Sequence, residues 1–184
     1  TRDYVKAMTV VLPTGEVVKL GSSVSKTSSG YSLLHLMIGS EGTLGVITEL
    51  TLKLIPQPKE TISLIIPYPD MESCIGTVPA FFKNHLNPQA LEFMGKEIVI
   101  SSEAYVGKQV FPRKLDGVEA EAYLLVTFDG SSADELDTVI EKASEVVLEA
   151  GAIDVLVADT PALKRDAWAA RSSFLEAIMA DTKL

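Results

Sequence analysis

The chain has 184 residues, 47% of them hydrophobic, with 25 Asp and Glu against 16 Lys and Arg and a formal net charge of -9; its pI is about 4.7 and its mean hydropathy +0.24. That apolar content is enough to pack one large or two small domains, which excludes a disordered chain, and the acidic balance provides no basic stripe for nucleic acid. A single cysteine, Cys74, permits no internal disulfide, and no apolar run approaches a membrane span, so a cytoplasmic location is expected.

Residues 5–12 and 16–20 are β-rich runs joined by Pro13-Thr14-Gly15, a turn in which proline presets φ and glycine accepts positive φ, so a hairpin is predicted. Residues 21–30 are serine-rich and read as a surface loop. Leu33, Leu34, Leu36, Met37 and Ile38 predict a short buried helix, and residues 46–55 predict a strand stopped by Pro56-Gln57-Pro58. A domain boundary is placed there, giving 1–58 and 59–184.

The second half begins with a strand at Ile62, Leu64, Ile65 and Ile66, closing at Pro67-Tyr68-Pro69. Asp70 then caps a helix to about Asn84, with Cys74, Ile75, Val78, Phe81 and Phe82 inward and Pro79 kinking or splitting it. Residues 89–93 predict a second strand, 95–102 a short helix, 106–117 an irregular excursion and 122–128 a core strand. Ser132 with Glu135 forms a capping box for a helix whose Leu136, Val139, Ile140, Ala143, Val146 and Val147 share one face, ended by Gly151. A strand at 155–158 and a helix opened by Thr160-Pro161 complete the order. This succession predicts a ferredoxin-like α+β layer, an antiparallel sheet with helices on one face.

Between the two apolar segments of the first half lies Gly39-Ser40-Glu41-Gly42-Thr43-Leu44-Gly45-Val46-Ile47-Thr48, where three glycines leave bare backbone between packed elements. It lacks the dinucleotide fingerprint and the Gly-Lys-Ser/Thr phosphate cradle. The run from Gly30 to Glu49, with Thr1-Arg2-Asp3-Tyr4-Val5 and Val10-Val11-Leu12-Pro13-Thr14-Gly15-Glu16 before it, closely resembles FAD-linked oxidases of the vanillyl-alcohol oxidase type, in particular the D-lactate and glycolate dehydrogenase branch. The resemblance implies that the first half is the end of an FAD-binding α+β domain and the second half a partial substrate or cap domain. It further implies that Gly42, Thr43, Gly45 and Ile47 approach the flavin of FAD, largely through backbone amides. Relatives often carry asparagine where this chain has Ser28 or Ser29, so neither is assigned a contact.

Trp168-Ala169-Ala170-Arg171 resembles the Trp-x-x-Arg element of the cap domain, which implies that Arg171 meets a substrate carboxylate with its two-pronged guanidinium. The same arginine, with Lys164, Arg165 and Asp166 nearby, equally fits a solvated helix face. Leu91-Glu92-Phe93-Met94 resembles a family strand, but Gly95 stands where relatives usually have aspartate, and no site role is carried over. Glu41 reads as structural, with its oxygens taking backbone hydrogen bonds in the turn; His35 reads as a packed core residue, His85 as surface and Cys74 as a buried apolar filler. With two histidines and no ligand spacing, no metal site is expected.

The family's pyrophosphate-holding loop would precede Thr1 and its catalytic histidine motif would follow Leu184, so no catalytic residue is assigned within this chain. The resemblance implies a fragment of an enzyme that oxidises a 2-hydroxy acid by hydride transfer to FAD and hands electrons to an acceptor or electron-transfer subunit. Two alternatives stay open: a non-catalytic subunit or assembly module, and a related flavoenzyme with a non-acid substrate, such as an alkyl-ether lipid synthase or aromatic alcohol oxidase.

Overall fold

A computed structural model describes residues 2–24 and 30–182; Ser28 and Ser29 of the predicted loop lie outside the described residues. The chain divides into two compact units, Thr1–Gln57 and Pro58–Leu184. In the first, strand β1 (Val5–Val11) runs antiparallel between β2 (Val17–Gly21) and β3 (Val46–Leu52). The predicted hairpin closes tightly, with the Leu12 amide donating to the Glu16 carbonyl at 2.9 Å and the Gly15 amide to the Leu12 carbonyl at 2.8 Å.

Helix α1 (Leu33–Met37) buries only Leu34 and Met37, which pack with Met8 and Val10, whereas Leu33 and Leu36 face outward. A five-residue helix can present just one narrow stripe. The expectation of a core histidine fails for the same reason: His35 is exposed, and its Nδ1 shares a 2.8 Å hydrogen bond with Ser32 Oγ. Strand β3 ends at Leu52, short of the predicted 55, and as the edge of the sheet it is exposed throughout.

The second unit holds β4 (Glu60–Tyr68), α2 (Met71–Lys83), β5 (Ala90–Gly95), α3 (Lys96–Val106), a ribbon of β6 (Lys114–Leu115) and β7 (Val118–Glu119), β8 (Ala122–Gly130), α4 (Ala133–Glu149), β9 (Leu156–Ala158), α5 (Pro161–Ser172) and α6 (Phe174–Thr182). The antiparallel sheet has the order β5-β8-β4-β9, the ferredoxin-like arrangement. Among the described residues no helix is long and apolar enough to cross a membrane.

One face of this sheet carries Leu64, Ile66, Tyr68, Leu124, Val126 and Phe128, covered by α2 and α4 through Cys74, Phe81, Leu136, Ala143 and Val147. The other face is covered as well, an addition to the expected one-sided layer: Ile65, Tyr123 and Leu125 pack against Val99 of α3, Phe111, and Ala167 and Ala170 of α5. Strands that are apolar at both odd and even positions demand cover on both sides.

Local differences have local causes. Helix α2 runs through Pro79 as one element; Pro79 and Ile75, whose carbonyl loses its partner, both lie on the exposed side where water can replace the bond. Ile75 and Phe82 point outward, and Thr77 takes an inner position with its hydroxyl donating to the Ser73 carbonyl at 2.8 Å. Strand β4 continues through Pro67 to Tyr68, near its end where a missing amide matters least. Helix α3 extends to Val106 and is stopped by Gly107 at φ 77°. The last predicted helix is two, α5 and α6, separated by Ser173.

Candidate functional site

In the first unit the glycine turn joins α1 to β3. Gly39, Glu41 and Gly42 all have positive φ, 85°, 51° and 78°, so the chain makes a left-handed turn that only residues tolerant of that region can form. Glu41 contributes this backbone conformation; the expected carboxylate hydrogen bonds to the turn are not found among the described residues. Thr43 closes the turn on itself, its amide and hydroxyl both donating to the Ser40 carbonyl at 2.9 and 2.6 Å.

Gly42 and Gly45 differ in their surroundings. Gly42 is exposed, and a Cβ there would meet nothing within 4 Å; Gly45 is buried, and a Cβ there would lie 2.7 Å from Val10 Cγ1 and 2.9 Å from the Val11 carbonyl oxygen. Packing against β1 therefore already explains Gly45. The amides of Gly42 and Leu44 donate to no described residue, so they remain able to serve an outside acceptor. Ile47, the first predicted contact on β3, is 41% exposed.

In the second unit, helix α5 presents Lys164, Trp168 and Arg171 at i, i+4 and i+7, one stripe, toward the second face of the sheet. Lys164 Nζ donates to the Thr61 hydroxyl, and Trp168 Nε1–H donates at 3.2 Å to Ser63 Oγ, itself 2.7 Å from Thr127 Oγ1. Arg171 donates through Nε and Nη2 to a single oxygen, Glu92 Oε2, at 3.0 and 2.8 Å. Its Cζ lies 5.8 Å from the centre of the Phe174 ring. Nη1 donates to no described residue, and the side chain is 39% exposed. The flank of the guanidinium is thus held while the side chain stays partly exposed.

The register explains this polar band. Glu92 is opposite Leu125, Ala90 opposite Thr127 and Ser63 opposite Thr127, so Glu92, Ser63 and Thr127 stand on one face beside the apolar Ile65, Tyr123 and Leu125. Arg171 lies in the last turn of α5, where the helix dipole favours a cation. The structure brings Gly42, Thr43, Gly45 and Ile47 into one turn and strand, and it sets Arg171 over the sheet, not on a solvated face alone. Sequence reasoning passed over Glu92, Ser63 and Thr127; the available signal was a charged or hydroxyl side chain at core-facing positions of otherwise apolar strands.

Elsewhere, burial pushes the Cys74 thiol up to about 12, which keeps it protonated and inert, as a buried filler should be.

A ferredoxin-like sheet with a guanidinium held over one face defines an α+β domain. The chain belongs to the FAD-linked oxidases: residues 57–184 match the family's C-terminal domain. It is 73% identical to a D-lactate dehydrogenase of Anaerostipes hadrus over all of this chain and 39% of that protein. It is 33% identical to the glycolate oxidase subunit GlcD of Bacillus subtilis, over 97% of this chain and 36% of that one. The fold also matches a crystal structure of p-cresol methylhydroxylase with TM-score 0.63 at 17% identity, covering 90% of this chain and 37% of that one. The chain thus spans about two fifths of the length of the curated relatives it matches.

Proposed function

We propose that this chain is the part of an FAD-dependent 2-hydroxy-acid dehydrogenase that contributes the end of the FAD-binding domain, residues 1–58, and much of the substrate domain, residues 59–184. The division at Gln57 and Pro58 supports those bounds. The observation that carries the reading is Arg171, held on its flank by Glu92 with Nη1 left for a second carboxylate. Family membership and the relatives named D-lactate dehydrogenase and glycolate oxidase subunit support the substrate class.

The glycine turn fits a flavin edge. The amides of Gly42 and Leu44, which donate to no described residue, are suited to ring acceptors, Gly42 leaves open space at the turn, and Ile47 offers an exposed apolar side chain. Thr43 shapes the turn, since its donors are already used by Ser40. FAD supplies the hydride acceptor when bound. Within this chain, Arg171 binds and orients the substrate carboxylate, and the proton of the substrate hydroxyl goes to a base supplied from elsewhere in the protein. Electrons then leave to an acceptor or electron-transfer subunit, a role suggested by the Bacillus subtilis relative being a subunit.

The test is Arg171→Ala in the full-length enzyme. Loss of a charge-assisted contact is expected to raise KM for D-lactate or glycolate about tenfold to a hundredfold. Unchanged kinetics on both acids would remove Arg171 from the substrate site.

A further inference from the structure

We propose that Glu92 is the positioning residue of Arg171, setting the guanidinium so that its free end meets a substrate carboxylate; this rests on the reading of Arg171 given above. Glu92 occupies an edge-strand position whose neighbours on the same face, Ala90 and Met94, are apolar, so the one polar group it meets there among the described residues is the Arg171 guanidinium. It accepts both contacts on one oxygen, from Nε and Nη2. That is the side edge of the guanidinium, and a carboxylate so placed leaves Nη1 without an acceptor among the described residues. The Phe174 ring restrains the group from a second direction. The ion pair fixes one edge of the fork, and the ring lies beside its central carbon.

The physical gain is preorganisation. A free arginine must surrender its rotamer freedom when it grips a ligand, whereas one already clamped surrenders little. The competing possibility is that Glu92 occupies the place of the substrate carboxylate and screens the arginine. The two make opposite predictions: removing a clamp weakens substrate binding, and removing a competitor strengthens it.

The experiment uses the full-length FAD-loaded enzyme with D-lactate and glycolate, comparing Glu92→Gln, Glu92→Asp, Arg171→Ala and the double variant Glu92→Gln/Arg171→Ala. Flavin content and thermal midpoint confirm folding, and the shorter carboxylate of Glu92→Asp serves if the neutral variant does not fold. The expected result is that Glu92→Gln raises KM about tenfold with kcat little changed, the size of one immobilised side chain. Glu92→Asp should fall between. In the Arg171→Ala background the Glu92 substitution should add nothing, because it acts only through the arginine. If Arg171→Ala raises KM but Glu92→Gln leaves it unchanged or lowers it, the positioning role is overturned and the carboxylate reading survives. A Glu92→Gln effect that persists in full without Arg171 also overturns it. If Arg171→Ala itself has no effect, both fall together.

Discussion

Removing the carboxylate of Glu103 is expected to unfasten the excursion between α3 and β8. Glu103 is 4% exposed, and its Oε1 accepts the amides of Val110 and Phe111 at 2.5 and 2.7 Å while Oε2 accepts Arg113 Nη2. Around this knot the Tyr123 hydroxyl donates to the Pro112 carbonyl at 2.8 Å, and the Phe111 and Tyr123 rings meet edge-on with centroids 5.4 Å apart. Glu103→Ala leaves two amides and a guanidinium without their acceptor, and a broken buried ion pair costs about 3–5 kcal/mol. Glu103→Gln keeps an acceptor for the two amides but turns an NH2 toward Arg113, so about 2 kcal/mol is expected. The assay is amide hydrogen exchange of Val110 and Phe111 in the full-length protein. A local loss of ~3 kcal/mol lowers their protection about a hundredfold. A change equivalent to less than about 1 kcal/mol in Glu103→Ala would refute the idea that this carboxylate organises the segment.

Three further substitutions test other parts of the molecule. Cys74 should resist alkylation in the native protein at pH 8 and react on unfolding; because its folded value is raised from 9.0 to about 12, its stabilising contribution is complete below pH 9 and declines as pH rises toward 12, a loss that Cys74→Ala should abolish in an alkaline stability titration. Gly45→Ala forces β1 and β3 apart and should lower stability by about 1–3 kcal/mol in thermal denaturation. Gly42→Ala meets open space, so its penalty is the left-handed backbone alone, about 1–2 kcal/mol; if FAD affinity, measured by flavin release, does not fall beyond that, Gly42 is not at the flavin.

The elements of the second unit were legible because their signals are local. Asp70 accepts the Ser73 amide at 2.7 Å, Ser132 the Glu135 amide at 3.3 Å, and Thr160 the Leu163 amide at 3.2 Å, each a helix start written within four residues. The continuity of α2 through Pro79 was not legible, since it depends on which side of the helix faces water, and the break at Ser173 carries no glycine or proline to mark it. In the candidate site, Arg171 was visible through its Trp-x-x-Arg setting, whereas Glu92 was not, because it lies 79 residues away and only strand register brings it opposite.

The amino-acid sequence by itself determined the order of the main strands and helices, the glycine turn between two packed elements and the family resemblance, because caps, periodicity and turn residues act over a few neighbours. Tertiary structure alone decided that both faces of the sheet are covered, that β1 packing explains Gly45, and that Arg171 is clamped by Glu92. Those outcomes depend on pairing across long loops, where the partner of a side chain is chosen by register and packing and leaves no mark in its own sequence neighbourhood.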